Sequence, residues 1–194
     1  MEEMIKTFYP NKEFKDIKSR NETHLNGDWH ETFQCIFTYR EYIFFQKRNE
    51  NLTDYPGMLD VTVGGHLKYN EDISNGVREI KEEMGISLNF RRLQFMCTLP
   101  EQIHDTFKDN EFINIFTVEL TEQEIPCIHF EDQEVEDIIQ IKKVDFLNFS
   151  QNLSDKITGL SFKQHTEHLF TKSDFLPYSS TYFQCVALLL NKPN

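Results

Sequence analysis

Basic charge, long apolar runs and paired cysteines are all scarce in this chain, and each scarcity removes a class of protein. Lysine and arginine number 20 against 32 aspartates and glutamates, a formal net charge of −12. General nucleic-acid binding needs a basic surface and is excluded on that ground. A phosphorylated small molecule is not excluded, because bound metal neutralises charge locally. The longest apolar run, Val186 to Leu190, is far too short to span a bilayer, so no membrane association is expected. The N-terminus opens Met1-Glu2-Glu3, acidic where a secretory signal is basic. Cys35, Cys97, Cys127 and Cys185 form no C-x-x-C pair, and the chain reads as a reduced, cytoplasmic enzyme. Internal repeats, low-complexity segments and linkers are absent from the sequence.

What is present suits one well-buried domain. Eighteen phenylalanines can supply a large core, and 194 residues are expected to fold as a single unit over residues 1–194. Residues 1–23 read as an irregular lead-in or short edge strand, and His24 to His30 as a turn ending in Trp29. Thr32 to Tyr39 and Tyr42 to Lys47 are strand-like, with Arg40-Glu41 between them. Asn49 to Gly57 is a loop, and Leu59 to Val63 a short strand running into two glycines. Further strands are expected within Leu88 to Met96 and over Glu111 to Val118, with a loop from Leu99 to Phe107. Gln133 to Lys142 leads from loop into strand, Val144 to Leu153 forms a short helix, and residues 178–190 a closing helix. Interleaved strands and helices define an α/β domain with a mixed β-sheet.

The stretch from Gly64 to Ile86 organises the rest. Two glycines precede a helix with Asp72 as N-cap and Gly85 as its stop. Ile73, Val77, Ile80 and Met84 fall within roughly 60° of one another on the helical wheel. Beside them, Glu79, Glu82 and Glu83 occupy a separate arc. These carboxylates repel one another, and the last two sit near the negative end of the helix dipole. A solvated acidic face stapled by Arg78–Glu82 is the structural reading of this pattern. The functional one is a site for a hard divalent cation, which takes oxygen ligands.

Arg78-Glu79-Ile80-Lys81-Glu82-Glu83-Met84-Gly85-Ile86 resembles the second half of the Nudix hydrolase box, G-x5-E-x7-R-E-U-x-E-E-x-G-U with U apolar, at every fixed position. In the first half, counting forward from the glycine pair gives Gly65 and Glu71, with one residue deleted before Arg78. Counting back from Arg78 gives Gly64 and Asn70 instead. The first register keeps the carboxylate. The resemblance implies an α/β/α sandwich and hydrolysis of a diphosphate linked to another moiety. Glu79, Glu82 and Glu83 would bind Mg2+ or Mn2+, with Glu71 assisting and Arg78 orienting the carboxylates. Glu134, Glu111 and Glu79 are the candidates for activating water.

A wider similarity spans roughly residues 24 to 140. His24-x5-His30, Thr32-Phe33-Gln34-Cys35, Tyr55-Pro56-Gly57-Met58-Leu59-Asp60, Gly65-His66, Asp109-Asn110-Glu111 and Glu134-Val135 resemble type 1 isopentenyl-diphosphate isomerase, a Nudix relative. By that similarity His24, His30, His66, Asp109 and Glu111 would gather a second ion, Zn2+ or Mn2+. Each histidine alone also reads as a hydrogen-bonded structural residue. Two departures set the chain apart from the isomerase. Gly64 stands where that enzyme holds its acid/base cysteine, and Leu52 and Thr53 replace the lysines beyond its basic pair. Lys47-Arg48 retains the pair and could meet phosphate, although a solvated strand end reads the same way. A phosphoanhydride hydrolase with a small-molecule diphosphate substrate is therefore the expectation. An isomerase using another acid and a non-catalytic diphosphate sensor are the rivals. A symmetric homodimer is common for enzymes of this size.

Overall fold

In the computed structural model, residues 2–104, 108–130 and 133–192 are described. A hairpin, β1 (Met4–Phe8) and β2 (Phe14–Ser19), leads into helix α1 (Arg20–Asn26), which ends at Gly27 in the left-handed conformation. The long strand β3 (Trp29–Tyr39) follows, then β4 (Tyr42–Arg48), β5 (Leu59–Val61) and β6 (Val63–His66). A 3-10 turn over Ile73–Val77 runs into α2 (Arg78–Met84). Strands β7 (Gln94–His104), β8 (Lys108–Glu119) and β9 (Val135–Lys142) come next. Helix α3 (Lys143–Ser150), the hairpin β10 (Ile157–Ser161) and β11 (Glu167–Phe170), and α4 (Ser180–Leu190) complete the described chain.

Strand order is β11-β10-β9-β4-β3-β1-β2, with β5 beside β4, β6 and β8 beside β3, and β7 beside β8. The β3–β8 pair is parallel and its neighbours are antiparallel, so the sheet is mixed. Alternation along the strands builds two cores, because successive side chains point to opposite faces. Ile36, Ile43, Phe45, Ile113, Ile115, Ile139 and Ile141 pack with Phe146 and Phe149 of α3 and Tyr182 and Val186 of α4. Phe33, Cys35, Phe37, Phe44, Phe116 and Ile138 pack with Ile80 and Met84 of α2. Helices thus cover both faces, an α/β/α sandwich. Among the described residues no helix is long and apolar enough to cross a membrane.

Several elements differ from the sequence expectation. The lead-in is a paired hairpin, and His24 lies in α1 rather than in a turn. The central helix is broken in two: Asp72 caps the 3-10 turn, Ser74 N donating to its carboxylate at 2.8 Å, and only seven residues are α-helical. Between Leu88 and Met96 a 3-10 turn occupies Phe90–Arg92, and strand begins only at Gln94. Leu99 to His104, expected as loop, continues that strand, while residues 105–107 lie outside the described residues. Pro100 is accommodated because, among the described residues, β7 pairs with β8 alone, which leaves its other edge without a ladder to break. The β10–β11 hairpin had no counterpart in the sequence reading.

Arg92, at the end of the 3-10 turn, pairs with Glu124 beyond β8 and also donates to the Glu119 carbonyl at 3.2 Å. The guanidinium hydrogen bond holds the Glu124 carboxyl down to about 2. A depressed carboxyl stabilises the fold above its unfolded pKa, and that contribution disappears as pH falls through the folded value. We expect Glu124→Gln to cost less than about 1 kcal/mol at pH 7, since the pair is partly exposed. Urea unfolding should show the gap closing between roughly pH 4.5 and 2.

Candidate active site

Arg78, the first residue of α2, gathers the carboxylates around it. Its Nε donates to Glu71 Oε1 at 2.8 Å, and Nη1 to Glu79 Oε1 at 2.6 Å and Glu82 Oε2 at 2.9 Å. Nη2 donates to the His66 carbonyl at 2.9 Å and to Glu71 Oε2 at 3.2 Å. One guanidinium therefore ties the glycine strand, the following loop and two turns of helix into a single unit. Glu71, the carboxylate kept by the one-residue deletion, is held inside this clamp and also accepts from Lys68 N at 2.9 Å.

The glycine pair has two different functions. A Cβ on Gly65 would strike the carboxyl end of Glu79, whereas at Gly64 its nearest neighbour would be Gln34 Cγ at 3.7 Å. Gly65 thus gives Glu79 its place against the backbone of β6. Glu83 is buried; it accepts from Gln46 Nε2 at 3.0 Å and Gly64 N at 3.4 Å. Burial pushes its carboxyl well above the usual range, and Glu79, Asp60 and Glu134 push further. Burial likewise raises Glu79 to about 8, with Arg78 pulling against it and Glu82 adding to it. Glu82 is half exposed at the rim.

A second group assembles across α1, β3, β6 and β8. In the ladders His30 stands opposite Glu111, and Thr32 opposite His66. Helix α1 brings His24 alongside, and the three imidazoles lie 5.0 to 5.3 Å apart between ring centroids. His30 Nε2 is 3.4 Å from Asp109 Oδ1 and 3.8 Å from Glu111 Oε1, and His24 Nε2 is 3.7 Å from Asp109 Oδ1. Two sets, His24 with His30 and His66, and His30 with Asp109 and Glu111, bring their ligand atoms within 4.8 Å of one another. The His30 Nδ1 position lies 3.1 Å from the Asp28 carbonyl, the partner that fixes a tautomer with Nε2 unprotonated. That Nε2, like His66 Nε2, is buried with no hydrogen-bond partner among the described residues. Burial lowers His24 to about 4 and His30 to about 3, and His66 is lowered well below 6.5, so all three are neutral near pH 7. Burial, with Asp109 and Asp60 nearby, raises Glu111.

Both groups open onto one cavity of about 470 Å3. Its lining carries nine carboxylates, among them Glu79, Glu82, Glu83, Asp109, Glu111 and Glu134, against four cationic side chains, Arg20, Arg48, Lys68 and Arg78. Arg48 is steadied by the Asp54 carbonyl at 2.8 and 3.2 Å and stands 4.0 Å from Asp60. Lys47 is not in the lining; it pairs with Glu136 at 3.0 Å. Trp29 stacks on Phe112 at 4.7 Å, and Phe33 is fully buried, which keeps these rings out of the cavity.

Arg20, Lys68, Asp60, Gln34 and Tyr178 also line the cavity and were not singled out in the sequence. Tyr178 donates to Asp60 Oδ1 at 3.0 Å and accepts from Gln34 Nε2 at 2.9 Å. Gln34 and Asp60 stood within the segments Thr32 to Cys35 and Tyr55 to Asp60 that carry the wider resemblance, without a role of their own.

Divalent cations fit this donor chemistry. Buried carboxylates that raise one another's pKa gain from positive charge, and neutral buried imidazoles with an open Nε2 are ready ligands. Among the described residues Glu79, Glu82 and Glu83 do not converge as tightly as the histidine groups. Arg78 draws the first two aside, while Glu83 turns to Gln46 and Gly64.

The NUDIX domain family matches residues 28–158. An uncharacterised Nudix hydrolase of Clostridium acetobutylicum is 31% identical over 197 residues, covering 95% of each chain. Nudix hydrolase 3 of Arabidopsis thaliana is 25% identical over 143 residues, 71% of this chain but 18% of that longer protein. The crystal structure of DR0079 from Deinococcus radiodurans superposes with a TM-score of 0.58 at 12% identity, over 75% of this chain and 86% of its own. A MutT protein from Methanosarcina mazei gives 0.56 at 12% identity, over 84% and 96%. The chain belongs to the Nudix hydrolase family. It is an enzyme of the class that splits phosphoanhydrides.

Gly64→Ala should be tolerated, because space exists for its methyl group. Gly65→Ala should leave the melting temperature within a few degrees yet lower turnover about a hundredfold by displacing Glu79. Equal activity of the two variants would remove the assignment of Gly65.

Proposed function

We propose that this hydrolase cleaves a diphosphate linked to another moiety, such as a nucleoside diphosphate derivative, in the acidic cavity between α2 and the histidine group. Glu79, Glu82 and Glu83 would hold Mg2+ or Mn2+, with Glu71 assisting through the Arg78 clamp. His24, His30, His66, Asp109 and Glu111 would hold a second ion, Zn2+ or Mn2+. The observation carrying this reading is the excess of carboxylates over cationic groups in one cavity, with Glu83 buried among them. Divalent cations bound there supply charge for the phosphate oxygens and acidify water.

The chain's own groups divide the remaining work. Arg48 faces the cavity and is held at two points, which suits it to orient an anionic substrate. Arg20 and Lys68 add positive charge to the same lining, and Lys47 is less suited because Glu136 engages it. Glu134 lines the cavity and acts electrostatically on Glu83, so we assign it the proton of the attacking water, with Glu111 and Glu79 as the alternatives. Residues 1–194 then act as one domain, and four free thiols suit a reducing, cytoplasmic setting.

The histidine group supports placing this chain in the isomerase-like branch, whereas Gly64 argues for hydrolysis rather than alkene protonation. Gly64 offers no group that could give a proton.

A panel of nucleoside and alkyl diphosphate derivatives, tested with Mg2+ and with Mn2+, should yield two phosphorylated or phosphate-bearing fragments identifiable by mass. Isopentenyl diphosphate should give no allylic isomer. Glu83→Gln should reduce turnover about a hundredfold or more while leaving the fold intact. Undiminished turnover in that variant would sink the role given to α2, and binding without hydrolysis across the panel would favour a sensor.

A further inference from the structure

A one-way chain of hydrogen bonds runs from the closing helix to the wall of the cavity. It starts at Tyr182 in α4, whose hydroxyl donates to Gln34 Oε1. Gln34 Nε2 donates to the Tyr178 hydroxyl at 2.9 Å, and Tyr178 donates to Asp60 Oδ1 at 3.0 Å. The direction is forced. An ionised carboxylate only accepts, so the single proton of Tyr178 goes to Asp60 and its oxygen is left to accept from Gln34.

Asp60 ends the chain with its two oxygens turned to different partners. Oδ1 accepts from Tyr178 and from Val61 N, the latter at 2.7 Å, while Oδ2 is 4.0 Å from Arg48 Nη1. The β4–β5 register brings aspartate and arginine together. Asp60 stands opposite Gln46, two residues before Arg48, so the two are diagonal neighbours across the ladder. Nε and Nη2 of Arg48 are taken by the Asp54 carbonyl, which leaves Nη1 to face Asp60. Burial raises Asp60, and Arg48, Val61 and Tyr178 pull against it.

Tyr178 is also held by contacts that do not involve its hydroxyl. On one side of it Leu176 N donates to the Leu59 carbonyl at 2.9 Å, beside Asp60. On the other, Ser179 donates through N and Oγ to the two carboxylate oxygens of Glu101, at 3.0 and 2.6 Å. Its ring stacks on Tyr182 with 4.2 Å between centroids. A ring fixed from three directions presents its proton to Asp60 at one point, as a positioning group must.

We propose that Tyr178 is a positioning residue for substrate binding: through Asp60 it fixes the Arg48 guanidinium where the diphosphate of the substrate docks. The proposal rests on the reading of Arg48 as the group that orients the anionic substrate. Asp60 carries the effect of Tyr178 to the arginine, and Gln34 and Tyr182 keep its proton aimed. The start of the closing helix thereby takes part in affinity.

The test uses the whole chain in excess Mg2+, with methylenediphosphonate as a diphosphate probe that is not hydrolysed and calorimetric titration as the readout. Arg48→Gln should weaken binding more than about tenfold. Tyr178→Phe removes one oxygen and keeps the stacked ring, so binding should weaken about fivefold with the melting temperature within a few degrees. Tyr182 is buried and is not part of the cavity lining, so Tyr182→Phe reaches the probe only along the chain and should weaken binding about twofold. In the Arg48→Gln background both tyrosine substitutions should have no further effect, because the group they position is gone; a merely structural loss would add to that of Arg48→Gln. Arg48→Gln weakening binding while both tyrosine variants bind like the unmodified chain, or weaken it additively, would overturn the proposal and leave the reading of Arg48 standing. No binding to the unmodified chain, or unchanged binding in Arg48→Gln, would overturn that reading and the proposal with it. Either tyrosine variant decides if the other fails to fold.

Discussion

Repulsion among buried carboxylates is the constraint on which the centre of this molecule depends. Glu79 and Glu83 are buried on a seven-residue helix, and Glu82 lies beside them. Helix propensity cannot hold so short an element, so tertiary packing must. Ile80 and Met84 supply the packing. Arg78 answers part of the charge through five hydrogen bonds to Glu71, Glu79, Glu82 and His66. Glu83, beyond its reach, is pushed up first by burial and then by Glu79, Asp60 and Glu134.

The same logic governs the other end of the cavity by different means. His24, His30 and His66 are kept neutral by burial, while Asp109 and Glu111 sit among them. Asp60 stands between the two ends, raising both Glu83 and Glu111 and accepting from Tyr178. A cavity built this way suits an anionic substrate only after cations have reversed its charge. This is why we propose metal for both groups rather than for α2 alone.

Legibility in the sequence followed the distance over which each feature is determined. Glu79, Glu82, Glu83 and Arg78 could be placed on one helix because the spacing is local, and Gly85 adopts the left-handed cap expected of it. The five residues of the second group come from α1, β3, β6 and β8, and no periodicity relates them; the resemblance alone named them together. Tyr178 and Gln34, 144 positions apart in the sequence, were not legible as partners. Leu99 to His104 looked like loop because Pro100 and polar residues interrupt it, yet pairing with β8 overrode the local preference. The break in the central helix was hidden because the apolar stripe continues through Ile73 and Val77 into α2.

On the proposed reading, one cavity would hold divalent cations at two places. Crystals grown with Mn2+ and a non-hydrolysable diphosphate analogue, measured at the manganese absorption edge, test it most directly. Anomalous peaks are expected beside Glu79, Glu82 and Glu83 and beside His24, His30 and His66, with the analogue between them. Bound analogue with no anomalous signal at either carboxylate or histidine group would contradict it.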